Sequence, residues 1–245
     1  MKEGKSRRRA AFWLLGLGGV LITVAIIALY TPWLPIFDLR EVGVSGNHET
    51  ASVNIARAAN LRGGVGLLSV SLSSTAKRVS ALPWIKEARV HYSFPHGVDI
   101  DVVERTPVAR VAATNTSCAL IGEGGVVVSM ACGGQDAVPT LKGAALSKAE
   151  PGGHLVDAGV VSLMDTLQRA AIPGLTVREV DVTDKGKSAE LVTTADTRVR
   201  LGALDGAADR IRYLEALCHT VKAEQYELID LRIGGEATLV PRARR

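Results

Sequence analysis

From Ala10 to Phe37 the chain carries no Asp, Glu, Lys or Arg, and Ala10–Tyr30 (AAFWLLGLGGVLITVAIIALY) is apolar almost throughout. At about 1.5 Å of rise per residue, a helix of that length reaches roughly 30 Å, the thickness of a bilayer's hydrocarbon core. Thr31, Pro32, Trp33 and Pro35 follow; the prolines stop a helix, and Tyr30 and Trp33 suit the membrane interface. Lys2, Lys5, Arg7, Arg8 and Arg9 precede the run against a single acid, Glu3. The positive-inside rule then places residues 1–9 in the cytoplasm and everything after Phe37 outside. The sequence predicts one transmembrane helix over residues 10–31, in a type II orientation in the cell membrane. A cleaved signal peptide fits less well, because its apolar region runs about 7–15 residues and ends in an A-x-A spacing. Here the spacing is Ala25-Ile26-Ile27-Ala28. A buried soluble helix fits worse still, since the run has no polar stripe.

The anchor changes how charge is read. The chain holds 29 Lys and Arg against 25 Asp and Glu, and residues 1–9 alone account for the excess of +4. Arg242, Arg244 and Arg245 form a second basic end, residues 242–245. Two basic ends are not a nucleic-acid-binding face, and no aromatic-interleaved basic patch accompanies them. The external part suits one large or two small domains. Three cysteines are too few for a disulfide framework. Cys118 and Cys132 flank a hairpin-like stretch outside the cytoplasm, where a bridge can form. Folding that hairpin about Glu123-Gly124 sets Cys118 opposite position 129, short of Cys132, which argues against a simple cross-strand bridge. Cys218 falls on the apolar face of a helix and reads as a small core residue.

Beyond the membrane, Leu39–Val44 reads as a strand and Ser45-Gly46-Asn47 as a turn. Thr50–Ala59 reads as a helix burying Val53, Ala56 and Ala59. Gly63–Gly66 is a plain loop, lacking the Lys-Ser/Thr ending of a phosphate cradle. Ser71–Ala81 is a second helix, with Leu72, Ala76, Val79 and Leu82 in helical spacing. Ala88, Val90, Tyr92 and Phe94 then alternate with polar residues, and so do Val98, Ile100 and Val102 after Pro95-His96-Gly97. A hairpin about His96 places all these apolar residues on one face. The order strand, helix, helix, strand, strand predicts a three-stranded sheet with two helices on one face.

From Val108 the pattern turns to short strands. Ala119–Ile121 and Val126–Ser129 make a hairpin, and Pro139–Gly143 reads as a turn into a Gly-rich loop. Asp157–Ala171 is a helix with Val160, Leu163, Met164 and Leu167 facing inward. Thr176–Val182, Ala189–Thr193 and Thr197–Leu201 are strands. Asp205 is placed to cap a helix over Gly206–Val221. Leu228–Ile233 and Glu236–Val240 form a hairpin on a two-residue Gly234-Gly235 turn. The fold class is α+β: a transmembrane helix, a small mixed domain, and a β-rich domain with about two helices.

Catalytic signatures are missing from the sequence. It has no G-x-S-x-G elbow, H-E-x-x-H, C-x-x-C, Walker loop or dinucleotide fingerprint. Asp99, Asp101 and Glu104 sit on the polar side of an amphipathic strand, and His91 and His96 have no clustered partners. No catalytic, cofactor-binding or metal site is expected, and neither a nucleic acid nor a small-molecule substrate. This pattern favours a binding or scaffolding protein. The competing reading, a membrane-tethered cell-wall hydrolase or a regulator of one, requires an acid/base or nucleophile cluster and is checked by muropeptide release. An outer-membrane transporter needs many further strands to close a barrel, and the chain is too short for it.

Val42-Gly43-Val44-Ser45-Gly46-Asn47, Pro83-Trp84-Ile85-Lys86-Glu87-Ala88-Arg89-Val90, Glu104-Arg105-Thr106-Pro107-Val108-Ala109 and Ile229-Asp230-Leu231-Arg232 stand in order behind the anchor. They resemble the V-x-V-x-G-N, P-W-V-x-x-A-x-V, E-R-x-P-V-A and I-D-L-R patterns of the FtsQ/DivIB family of bacterial cell-division proteins. The resemblance implies a POTRA domain over residues 37–106 and the family's β domain over 107–241, with Glu104, Arg105 and Pro107 at their junction. It also implies a non-enzymatic role at the division septum, binding FtsB/DivIC-like and FtsL-like partners. In relatives the FtsB partner adds a strand to the last edge of the β domain. Aligned on I-D-L-R, that edge falls on Arg232, Ile233, Gly234, Gly235, Glu236, Ala237, Thr238 and Leu239. Gly-Gly replaces the more usual acidic or polar turn there, and Pro241 stands where some relatives carry an aromatic.

Overall fold

A computed structural model describes residues 16–27, 37–112, 118–131, 138–233 and 235–243. Residues 16–27 are helical, and their large apolar side chains are exposed, Leu21 by 63% and Ile22 by 63%. Among the described residues no helix is long and apolar enough to cross a membrane. The two ends of the expected span, 10–15 and 28–31, lie outside the described residues.

The described chain divides into two compact units. One takes in the chain up to Ser45 with Ser52–Arg78 and Arg89–Asp101; the other takes in Gly46–Ala51, Val79–Ala88 and the chain from Val102 onward. A three-stranded sheet runs β1 (Glu41–Ser45), β3 (Gly97–Glu104), β2 (Ile85–Ser93), with β3 central. β1 and β3 are parallel, from Glu41 opposite Gly97 to Ser45 opposite Asp101. A parallel pair needs a long crossover, which α1 (Ser52–Ala59), α2 (Leu72–Ser80) and β2 supply. The alternation read from the sequence holds on β3, where Val98, Ile100 and Val102 are buried. His91 lies on the opposite, polar face, with its ring nitrogens 3.8 Å from Asp99 and 3.5 Å from Asp101.

Two details of this unit differ from expectation. On α1 the buried residues are Ile55 and Ala59, while Val53 is 65% exposed. The i, i+4 pair built on the larger Ile removes more apolar area from water than a stripe begun at Val53 would. On α2 the buried positions include Thr75, whose hydroxyl donates to the Ser71 carbonyl at 3.0 Å and accepts from Arg78 at 2.9 Å. A hydroxyl with both partners can be buried without penalty, which apolar spacing does not register.

The second sheet has nine strands in the order β12-β11-β10-β9-β8-β7-β4-β5-β6. These are β4 (Pro107–Ala112), β5 (Cys118–Gly122), β6 (Val126–Ser129), β7 (Thr140–Lys142), β8 (Val177–Thr183), β9 (Ser188–Thr193), β10 (Arg198–Ala203), β11 (Tyr226–Asp230) and β12 (Thr238–Pro241). Helices α3 (Ala158–Arg169) and α4 (Ala207–Cys218) share one core with its inner residues. Val160, Leu163 and Met164 of α3 join Ile211, Leu214 and Cys218 of α4 and Val180, Leu191, Val199 and Ile229 of the strands. Each large side chain buried there contributes about 1.5–3 kcal/mol. Asp157 caps α3 by accepting from Gly159 N at 2.8 Å and Val160 N at 3.3 Å.

Several expectations are corrected here. Thr140–Lys142, read as a turn, is a central strand, parallel to both β4 and β8. Pairing on both sides, rather than propensity, makes it a strand. Asp205 does not cap α4: Gly206 does so at φ 71° with no side-chain bond, and the helix ends at Cys218. Arg210 of the first turn instead donates to the Asp205 carbonyl at 2.7 Å. The last hairpin is not a two-residue turn, because β11 ends at Asp230 and β12 starts at Thr238. Its register sets Ile229 opposite Leu239, one residue away from the Gly-Gly-centred pairing, and in a strand one residue reverses every side chain. Cys118 is disulfide-bonded and Cys218 is free, while Cys132 lies outside the described residues. The register argument against a bridge at Cys118 fails because β5 and β6 contain an irregularity that puts Leu120, not Cys118, opposite Ser129.

Candidate functional site

β12 forms one edge of the nine-stranded sheet. Two hydrogen bonds fix which of its backbone groups point outward. Leu231 N donates to Arg200 O at 2.9 Å, so from Leu228 to Leu231 the odd-numbered groups turn toward β10 and the even-numbered ones toward β12; the irregularity between Tyr226 and Leu228 reverses that order before it. Arg242 N donates to Gln225 O at 2.9 Å, so Thr238, Val240 and Arg242 present their backbone to β11. The N–H and C=O of Leu239 and the C=O of Pro241 therefore face away from the sheet. Pro241 has no N–H to offer, as befits a proline on the open side of an edge strand.

Side chains alternate at right angles to these groups. Leu239 and Ala237 pack against the core, and Val240, 41% exposed, projects from the other face. On that open face a groove of about 950 Å³ is lined by Arg178, Glu179, Val192, Arg198, Glu227 and Arg242. Arg178 pairs with Asp196 at 2.9 Å, and Arg242 donates to the Ala195 carbonyl at 2.6 Å. The edge thus combines a short run of unpaired backbone with a charged surface beside it.

Among the residues aligned with the family's edge, Thr238 and Leu239 lie on β12. Arg232, Ile233, Gly235, Glu236 and Ala237 lie in the segment connecting β11 to β12, and Gly234 is outside the described residues. Ile233 is 67% exposed, and Glu236 N donates to its carbonyl at 3.3 Å. Arg232 folds back on Asp230 through contacts of 2.9, 3.0 and 2.7 Å. The Arg232 side-chain hydrogen bonds hold the Asp230 carboxyl below its ordinary range. Val240 and Pro241 complete the edge. The alternation Leu239 in, Val240 out is its only sequence signal, and four residues are too few to read by periodicity.

Glu104, Arg105 and Pro107 all fall within the second unit. Glu104 accepts backbone N–H bonds from His48 at 2.9 Å, Glu49 at 2.8 Å and Thr50 at 2.8 Å. Partial burial opposes ionisation, but the bonds from Glu49, Thr50 and His48 together outweigh it and lower the carboxyl pKa. Arg105 donates to the Glu123 carbonyl at 2.8 Å, its own N–H donates to Trp84 O at 2.7 Å, and Pro107 opens β4. Lys86 pairs with the Glu123 carboxylate. A carboxyl with a depressed folded pKa stabilises above the ordinary carboxylate range and loses that contribution as pH falls through its own lower value. Glu104→Ala is expected to cost about 1.5–3 kcal/mol near neutrality, chiefly at the half-buried Thr50 N–H, which water reaches poorly. Urea melts at several pH values check it: the gap to wild type narrows as pH drops below the carboxylate range, and a pH-independent gap contradicts the carboxylate's role.

Among the described residues no group of three or more His, Cys, Asp or Glu is placed to hold a metal ion. Residues 37–105 match the family described as POTRA domain, FtsQ-type. Residues 109–232, half of the chain, match the family described as cell division protein FtsQ/DivIB, C-terminal. The chain belongs to the FtsQ/DivIB family. Proteins named cell division protein FtsQ are its relatives in Myxococcus fulvus, 30% identical over 95 residues (39% of this chain and 34% of that protein). The FtsQ of Mycolicibacterium smegmatis is 33% identical over 89 residues, 36% of this chain and 27% of that protein. The FtsQ of Streptomyces coelicolor is 33% identical over 105 residues, 42% and 39% of the respective chains. The matches thus span about a third of the length of these FtsQ relatives. The motifs that carry FtsQ/DivIB membership prove to be fold-making: Ile229 and Leu231 are buried, Asp230 and Arg232 clasp, and Glu104 gathers three N–H groups.

Proposed function

We propose that this protein is a non-enzymatic scaffold of the divisome. Residues 10–31 anchor it in the cell membrane, with residues 1–9 in the cytoplasm and the POTRA domain (37–106) and β domain (107–241) outside. At the septum it binds FtsB/DivIC-like and FtsL-like partners, linking early division components to septal peptidoglycan synthesis. The observation that carries this reading is the free edge of β12, where the Leu239 N–H and C=O point outward. An extended partner segment that adds there gains main-chain hydrogen bonds, and the charged groove beside it selects among side chains.

The test is co-purification of the full chain with an FtsB-like coiled coil, before and after removal of residues 238–245. The truncated chain is expected to keep its fold and lose the partner. A folded truncation that still retains the partner overturns the edge as the binding site.

A further inference from the structure

We propose that one end of the first unit, formed by Phe37, Val65, Leu68 and Phe94, docks onto the lipid surface beside the protein's own anchor. Phe94 is 61% exposed, Leu68 53%, Phe37 41% and Val65 38%. Exposed apolar residues scattered singly are ordinary, but a contiguous group marks an interaction surface. These belong to three separate segments that backbone hydrogen bonds draw together. Asp38 bridges Gly66, Leu39 N donates to Val65 O at 2.9 Å, and Gly64 N donates to Leu39 O at 2.9 Å. Arg40 N donates to His96 O at 2.8 Å, which brings the tip of the β2–β3 hairpin alongside. The Phe37 and Phe94 rings meet edge to face at 6.4 Å, and Tyr92 lies 5.9 Å from Phe94. Tyr92 is fixed in turn by its hydroxyl, which donates to Val70 O at 2.9 Å.

Position in the chain names the occupant. Phe37 is the first described residue after the apolar stretch, and only residues 32–36 separate it from the end of the expected span. Five residues reach at most about 18 Å, so this end of the unit is tethered close to the bilayer whatever path they take. Phe, Val and Leu have no polar tip and partition to the boundary between headgroups and acyl chains. Asp38, Arg40 and Arg62, the charged residues next to Phe37 and Val65 in sequence, are of mixed sign, so the attraction is assigned to the apolar side chains. The tether supplies a high effective concentration, which lets a small patch suffice. Docking of this kind would set the height of the POTRA domain above the membrane.

This inference rests on residues 10–31 being an anchor, and the experiment separates the two. The full chain is reconstituted into vesicles of phosphatidylcholine with a minority of phosphatidylglycerol, carrying a nitroxide at Leu68→Cys or, as a control, at the exposed Lys77→Cys. Cys118 is disulfide-bonded and Cys218 buried, and labelled wild type supplies the background. The label at 68 is expected to collide more readily with oxygen than with a water-soluble nickel chelate, the reverse of the label at 77, in low and high salt alike. Phe37→Ser with Phe94→Ser is expected to abolish that preference while the chain still unfolds cooperatively, its melting temperature lowered by only a few degrees through the lost ring contacts. A chain that floats with the vesicles but whose label at 68 meets the nickel chelate as freely as the control overturns docking and keeps the anchor. A chain that does not float overturns both. A label shielded from both reagents indicates a second copy over the patch and overturns the lipid assignment.

Discussion

Replacing Leu239 with proline is expected to weaken capture of an FtsB-like segment by roughly 10–100-fold, the equivalent of about 1.5–3 kcal/mol. The Leu239 N–H points away from the sheet and takes no part in the β11–β12 ladder, so proline removes a group that only an added strand would use. Pro241, on the same outward row, already shows that the edge tolerates the ring. The pyrrolidine also blocks close approach of an incoming backbone. Leu239→Ala is the informative companion, because it keeps the N–H and removes only packing against the core. Titrating an FtsB-like peptide into each variant distinguishes the possibilities. If proline and alanine weaken binding equally, side-chain contacts rather than backbone pairing dominate, and β-augmentation at this position is wrong.

Gly46→Val is expected to destabilise the fold by about 3–5 kcal/mol, near the upper limit for a single substitution. Gly46 stands at φ 79°, and a Cβ there would lie 2.1 Å from the Val102 carbonyl oxygen. Neither side can withdraw, since Val102 is 4% exposed and held in β3. Gly43 makes the contrast. Its added Cβ would meet the end of the Asp99 side chain at 2.2 Å, a half-buried but flexible carboxylate that can swing aside, and its φ is not in the left-handed region. Gly43→Ala is therefore expected to fall within about 1 kcal/mol of wild type. Denaturant unfolding of both variants reads the difference, and similar costs at the two positions would contradict it. The same geometry explains why the family's V-x-V-x-G-N pattern leaves position 43 open and specifies glycine at 46.

Much of residues 37–106 was legible in sequence because its signals are local. The alternation in β2 and β3, the two short helices and the turn at Ser45-Gly46-Asn47 each declare themselves within a few residues. Register and pairing were harder. Thr140–Lys142 is too short to show periodicity and becomes a strand only because β4 and β8 flank it. The last hairpin looked like a Gly-Gly turn, yet Leu231 bonds to β10 and Arg232 turns back on Asp230, so the chain leaves the ladder early. The irregularity between β5 and β6 likewise moved the residue opposite Ser129 from Cys118 to Leu120.

By itself the sequence determined the apolar stretch at residues 10–31, the strand, helix, helix, strand, strand order of residues 37–106, the α+β class and the family, because composition and motif spacing survive without coordinates. Its four motifs mark where the fold is held together: a left-handed glycine, a carboxylate gathering N–H groups, buried apolar positions and an Asp–Arg clasp. Tertiary structure alone decided which strand lies at the edge and which backbone groups face outward. Those properties depend on pairing between residues far apart in the chain, and a shift of a single residue reverses them. The outward Leu239 N–H and the gathering of Phe37, Val65, Leu68 and Phe94 at one end both arise in that way.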